Sequence, residues 1–226
     1  MTVAILKLSY SCVGETPVTG GICGSAFFVS RFVALTANHV LSRSNYKPNE
    51  GYRYYRYWLV SRTGLLVPLE SELLADHPQI DAAVIRFSKP QAAIPILNLS
   101  DTPPWVGCAV YSMGHVCGEM PATRANWQKD GLVIQACDLG HVAADLGGHI
   151  RRIVRAQVNA NDITMTGVTL LELSFGGVVG MSGGPLLRKA TNEVIGLMSI
   201  GLPPNSHDKD VLYAVSVEEI RRVAGL

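Results

Sequence analysis

Short runs rich in Val, Ile, Phe and Tyr recur along the whole chain, separated by Gly, Pro, Asn and Asp. They cover residues 3–8, 24–30, 32–36, 57–61, 65–69, 82–87, 109–113, 132–136, 164–173, 194–200 and 211–216. Runs of this length and composition, bounded by turn residues, predict β-strands, and their recurrence predicts an antiparallel barrel or sandwich. One segment breaks the pattern. Ser216 with Glu219 three residues on is a capping-box pair, and Val217, Ile220 and Val223 make an apolar stripe at helical spacing, so the chain is expected to end in a helix.

Composition narrows the class. The chain has 226 residues, 48% of them hydrophobic, which suits one all-β unit with a sizeable core. A formal net charge of +1 gives no reason to expect a nucleic-acid partner. No apolar stretch approaches the roughly 18 residues of a membrane span. Residues 1–12 lack a basic n-region and a small-residue cleavage site, so they read as a first strand and not as an export signal. Cys12, Cys23, Cys108, Cys117 and Cys137 are odd in number and contain no CxxC pair. That argues against a zinc motif and for a reduced, cytoplasmic protein with free thiols, one Cys12–Cys23 disulfide being the alternative.

The candidate chemistry centres on Gly180-Met181-Ser182-Gly183-Gly184-Pro185-Leu186. Glycines on both sides let the backbone turn sharply, exposing a serine hydroxyl and aiming N–H groups at one point. The same residues would also make an ordinary turn, so the reading depends on partners elsewhere. A serine needs a base, and the base needs an orienting acid. His39 stands where the apolar run 32–36 ends, whereas His77, His115, His141, His149 and His207 lie in polar or Gly/Pro-containing contexts and read as structural or solvated. Asp81 opens the apolar run Ala82-Ala83-Val84-Ile85, where a carboxylate is costly unless hydrogen-bonded. Its competitor Asp76, close to Pro78, reads as a loop residue. Gly180-x-Ser182-x-Gly184 also fits the nucleophile elbow of α/β-hydrolases, but that fold needs a helix after the serine. Pro185 to Leu197 reads instead as strand, turn and strand, which excludes it.

Taken in order, Gly24-Ser25-Ala26-Phe27-Phe28-Val29, Leu35-Thr36-Ala37-Asn38-His39-Val40, Asp76 to Val84, Gly180 to Pro185, Val194-Ile195-Gly196-Leu197 and Tyr213-Ala214-Val215-Ser216 resemble the chymotrypsin-like serine peptidases, most of all the HtrA/Deg-type branch. The resemblance implies an all-β fold of two antiparallel six-stranded barrels and a closing helix. The N-terminal barrel would span residues 1–95 and the C-terminal barrel 104–226, with the proline-rich stretch 89–104 as the seam. It implies His39 as general base, Asp81 as orienting acid, Ser182 as nucleophile, and the Gly180 and Ser182 amides as oxyanion hole. A substrate pocket is implied at Gly176 to Met181, Ser199, Ile200, Gly201 and Ala214. None of these is acidic, so the expected substrate is a polypeptide with a small or medium apolar side chain before the scissile bond. The segment 199–201 could pair with the substrate backbone. No metal or organic cofactor is implied, and a PDZ module after the helix is not expected.

Departures matter. Secreted relatives have an aspartate before the nucleophile that pairs with a newly cleaved N-terminus, and the HtrA/Deg branch often has Asn; here Met181 stands there. Activity independent of N-terminal cleavage is therefore expected, with a protein partner or oligomerisation as a possible source of order in the hole. Asn38 replaces a smaller residue before the base. Met181 and the Tyr/Arg-rich segment 45–58 also motivate an alternative, a weakly active or inactive binding module in a larger assembly; the simpler reading of 45–58 is a surface loop feeding a strand. Residues 115–162, polar and with several arginines, read as barrel loops.

Overall fold

The structure is a computed structural model, and it describes residues 2–10, 19–41, 54–60, 66–69, 73–91, 94–116, 118–120, 126–128, 131–133, 146–160, 163–202 and 211–225. The first half of the chain forms β1 (Val3–Tyr10), β2 (Thr19–Ser30), β3 (Val33–Thr36), a short helix α1 (Asn38–Leu41), β4 (Tyr54–Val60), β5 (Leu66–Pro68), β6 (Leu73–His77) and β7 (Ala82–Arg86). The second half forms β8 (Ala109–Ser112), β9 (Gly118–Met120), β10 (Asn126–Gln128), β11 (Gly131–Val133), β12 (Leu146–Ala160), β13 (Ile163–Leu173), β14 (Pro185–Arg188), β15 (Val194–Leu202), β16 (Val211–Ser216) and the helix α2 (Val217–Ala224). Every named strand pair is antiparallel.

The strands sort into two main sheets. Among the described residues the first runs β5-β4-β1-β2-β3-β7-β6, with β9 attached to β2, so it is an eight-stranded sheet where a six-stranded barrel was expected. The second runs β12-β13-β16-β15-β14-β8 and closes on itself. Residues 94–100 stitch the two together: Leu97 N donates to Phe28 O and Ser100 N to Val194 O, each at 2.8 Å.

Burial explains why the halves stay joined. One apolar cluster fills the first sheet around Ile5, Phe28, Leu59 and Ile85, and another fills the closed sheet around Val110, Ile150, Leu186 and Ile195. A third lies between them, with Phe27, Leu35 and Val84 from one side against Leu170, Leu197, Ile200 and Val215 from the other. Side chains on alternate strand positions face opposite ways, so Phe27 packs at the junction while Phe28 packs inside its own sheet.

Three expectations need correction. Residues 146–160, read as loop, form the longest strand among the described residues. Asp76, also read as loop, lies within β6 opposite Ala83. The closing helix forms without the capping box: Ser216 makes no side-chain cap bond, and the Glu219 carboxylate turns to Thr169 of β13, accepting its N–H and hydroxyl at 3.1 and 2.9 Å. Of the segment 45–58, only residues 54–58 are among those described, as part of β4. Among the described residues no helix is long and apolar enough to cross a membrane.

Candidate active site

Asp81 is placed by a tight turn. Pro78–Ile80 form one turn of 3₁₀ helix, and Asp81 closes it in the left-handed conformation (φ 51°, ψ 44°), with its N–H on Pro78 O at 3.2 Å. Aspartate tolerates that conformation better than most side chains. The result is a carboxylate only 1% exposed at the head of β7. Burying it unpaired would be costly, and donors surround it. His39 N donates to Oδ1 at 2.9 Å, His39 Nδ1 lies 2.9 Å from Oδ2, and the Ser199 hydroxyl donates to Oδ2. The preceding amide, Asn38 N, donates to Asp81 O at 3.2 Å. Two consecutive amides and a ring nitrogen thus converge on one residue, which fixes α1 and the imidazole together. A carboxylate on Nδ1 holds the proton there and leaves the lone pair on Nε2.

Ser182 sits between two glycine-dependent turns. Met181 N donates to Val178 O at 3.1 Å, with Gly180 at φ 103° and Val179 at negative φ. An i to i+3 bond with positive φ only at the third residue defines a type II turn, which wants glycine there. After the serine, Gly183 (φ 84°) donates to Met198 O at 2.8 Å and Gly184 N to Met181 O at 2.9 Å. A Cβ at Gly183 would strike Ser25 O and Thr36 Oγ1, and one at Gly184 would lie 2.6 Å from Met113 O. The Gly180 and Ser182 amides take no carbonyl partner among the described residues. Ser182 Oγ itself donates to Ser199 O at 3.2 Å.

His39, Ser182 and Ser199 border one cavity of about 590 Å³. Among the described residues its apolar wall is Val178, Val179, Met198, Val211 and Leu212, and no acidic or basic side chain other than the imidazole lines it. The expected pocket residues Gly177 to Met181, Ser199 and Gly201 are there. Gly176, Ile200 and Ala214 are not: Gly176 is exposed outside the cavity lining, and Ile200 and Ala214, 3% and 0% exposed, belong to the core clusters. Met198, Val211 and Leu212 take their place; Leu212 packs so closely on Gly177 that a Cβ there would lie 2.9 Å from Leu212 Cδ1.

The remaining histidines separate clearly. His115 is 1% exposed and packs beside Ser25, His149 is exposed, and His77 is half-buried; His141 and His207 lie outside the described residues. Cys108 is a buried free thiol, and the half-buried Cys23 donates its S–H to Ile5 O at 3.4 Å. Cys12, Cys117 and Cys137 lie outside the described residues. Sequence reasoning passed over Ser25, whose backbone and hydroxyl both engage the serine loop. Its only local signal is its place directly after Gly24.

An acid–imidazole pair beside a glycine-flanked serine, set where two antiparallel sheets meet, is the architecture of a trypsin-like fold. A family model for the trypsin-like peptidase domain matches residues 24–197, most of the chain, and the chain belongs to that family. No curated protein matches the sequence. Among solved structures, the active form of the Rv3671c protease from M. tuberculosis is similar with a TM-score of 0.60 at 15% identity, over 98% of this chain and 79% of that one. The HtrA-type protease AlgW, solved with a tripeptide, gives a TM-score of 0.61 at 18% identity, over 99% of this chain and 58% of that chain. At such identities the likeness is one of fold.

Proposed function

We propose that the chain is a serine endopeptidase working through an acyl-enzyme, with Ser182 as nucleophile, His39 as base and Asp81 as its orienting acid. The observation that carries this reading is the continuous set of contacts from the buried Asp81 carboxylate to His39 Nδ1 and, through Ser199, to the Ser182 hydroxyl. Rotation about the Ser182 Cα–Cβ bond moves Oγ from the Ser199 carbonyl toward His39 Nε2. The imidazole then takes the hydroxyl proton as Oγ attacks the scissile carbonyl. The Gly180 and Ser182 amides receive the oxyanion, and the lack of a carbonyl partner for either among the described residues supports that role. His39 protonates the departing amine, and water enters by the same route to release the acyl group.

The type II turn bears on the question raised by Met181. In a type I turn the Val179–Gly180 peptide would be reversed and the Gly180 N–H withdrawn; the observed turn favours a hole formed at rest. Thr2 is 6% exposed and β1 pairs with both β2 and β4, so the N-terminal strand is engaged in the sheet. Both observations support activity without N-terminal cleavage. The apolar wall favours a polypeptide substrate with an aliphatic side chain before the scissile bond.

Digestion of a diverse synthetic peptide mixture, read by mass spectrometry, tests the reading. The expected cuts follow Ala, Val, Leu or Met and vanish with Ser182→Ala. Dominant cleavage after Lys or Arg would contradict the pocket assignment, and an intact mixture would contradict the peptidase reading itself.

A further inference from the structure

We propose that Ser25, a residue of the first sheet, is the positioning residue that holds the oxyanion-binding turn, a role that Met181 cannot fill by an ion pair. The inference rests on the peptidase reading and concerns the control of its oxyanion hole. Ser25 is completely buried on β2. Its hydroxyl accepts the His115 N–H at 2.8 Å and donates to Gly180 O at 2.8 Å. A hydroxyl has one proton, and with an N–H already on its lone pair, that proton is committed to the Gly180 carbonyl. The backbone of the same residue acts too: Ser25 N donates to Ser182 O at 2.8 Å. Both carbonyls flanking Met181 therefore end on one residue from the other half of the molecule.

The consequence is geometric. Fixing Gly180 O sets the plane of the Gly180–Met181 peptide, and fixing Ser182 O sets the plane of the Ser182–Gly183 peptide. The planes that carry the Gly180 and Ser182 N–H groups are their immediate neighbours and inherit that orientation. Packing leaves the clamp little slack: a Cβ at Gly114 would lie 3.0 Å from both Ser25 Oγ and Met181 Cα, and Met181 is 2% exposed. Without the hydroxyl, Gly180 O is a buried acceptor lacking its donor, and relief comes from rearranging the turn. The population of the hole-forming turn then falls.

Ser25→Ala tests this beside Ser112→Ala. Ser112 is also completely buried, and its hydroxyl donates to a backbone carbonyl, Pro185 O at 2.9 Å, beyond the turn. The expected result for Ser25→Ala is a kcat lowered about 10- to 100-fold, below the roughly 10²–10³-fold cost of losing an oxyanion donor outright. KM should stay within about threefold, and affinity for a peptidyl trifluoromethyl ketone, which binds as an oxyanion, should fall in step with kcat. Ser112→Ala should lose similar thermal stability while keeping kcat and ketone affinity within about twofold. Should Ser25→Ala not fold, Ser25→Cys, a weaker and longer donor, carries the test with the same paired loss. Equal kcat and ketone affinity in the two alanine variants, or a fully active Ser25→Cys, overturns the clamp. A wild-type protein that takes no fluorophosphonate label overturns the peptidase reading and the clamp with it.

Discussion

Ser199 holds Asp81 and Ser182 at once: its hydroxyl donates to Asp81 Oδ2 while its carbonyl accepts the Ser182 hydroxyl at 3.2 Å. Asp81 lies at the head of β7 in the first sheet and Ser199 on β15 of the closed one, so this residue ties the proposed acid to the proposed nucleophile across the junction. Ser199→Ala removes one of the donors to a buried carboxylate and leaves the carbonyl in place. A hydrogen bond to a charged group contributes about 1.5–3 kcal/mol. If that is felt at the transition state, kcat falls roughly ten- to hundredfold. Steady-state kinetics on one peptide substrate measure it, with KM expected to hold.

Asp81→Asn should be far more damaging to rate than to fold. The amide can still fill the buried site, but it offers an N–H to His39 Nδ1 and so favours the tautomer with its lone pair on the wrong nitrogen. A kcat loss of about 10⁴-fold is expected, with a thermal midpoint close to the parent. Parallel rate and melting measurements separate the two effects.

His39, Asp81 and Ser182, the residues proposed as a triad, could be singled out in the sequence because each leaves a local signal. Ser182 has glycines whose positive φ and close packing the structure requires, His39 ends an apolar run, and Asp81 begins one. What escaped has no such signal. In β12, Gly147, Gly148, Arg151, Arg152 and Arg155 hide a strand whose outer face is exposed, and register shifts near Ile150 and Ala156 break its alternation. Asp76 was misread because Pro78 belongs to the turn after β6 and not to the strand. A register shift between Met198 and Gly201 also makes side-chain direction along β15 unreadable by simple alternation, which is why Ile200 was expected in the pocket and is found in the core. Ser25 contacts residues 155 positions away, and no local pattern encodes that.

Gly183 and Gly167 both have positive φ, at 84° and 67°, yet alanine should affect them differently. Gly167 has open space around it, so Gly167→Ala carries only the conformational cost of about 1–2 kcal/mol. At Gly183 the new Cβ would also strike the Ser25 carbonyl and Thr36 Oγ1. That variant should lose about 3 kcal/mol or more, or fail to fold. Urea unfolding of both provides the comparison.

Stability should depend on acid through Glu219. Burial pushes its carboxyl up, but the Arg222 guanidinium and the two Thr169 donors outweigh this and hold it below the ordinary value of 4.5. A carboxyl lowered in the folded state stabilises the fold above the unfolded value and loses that contribution as pH falls through the folded one. Glu219→Gln should therefore be less stable than the parent at neutral pH, with the gap narrowing below about pH 4.5. Thermal midpoints across that range measure it; a constant gap would contradict the assignment.

The central claim is that Ser182 is a nucleophile activated by His39. Intact-mass analysis after exposure to a fluorophosphonate probe tests it most directly, with wild type beside Ser182→Ala and His39→Ala. A single adduct on the wild-type chain, absent from both variants, is the predicted result. An unlabelled wild type, or equal labelling of the Ser182→Ala chain, would contradict it.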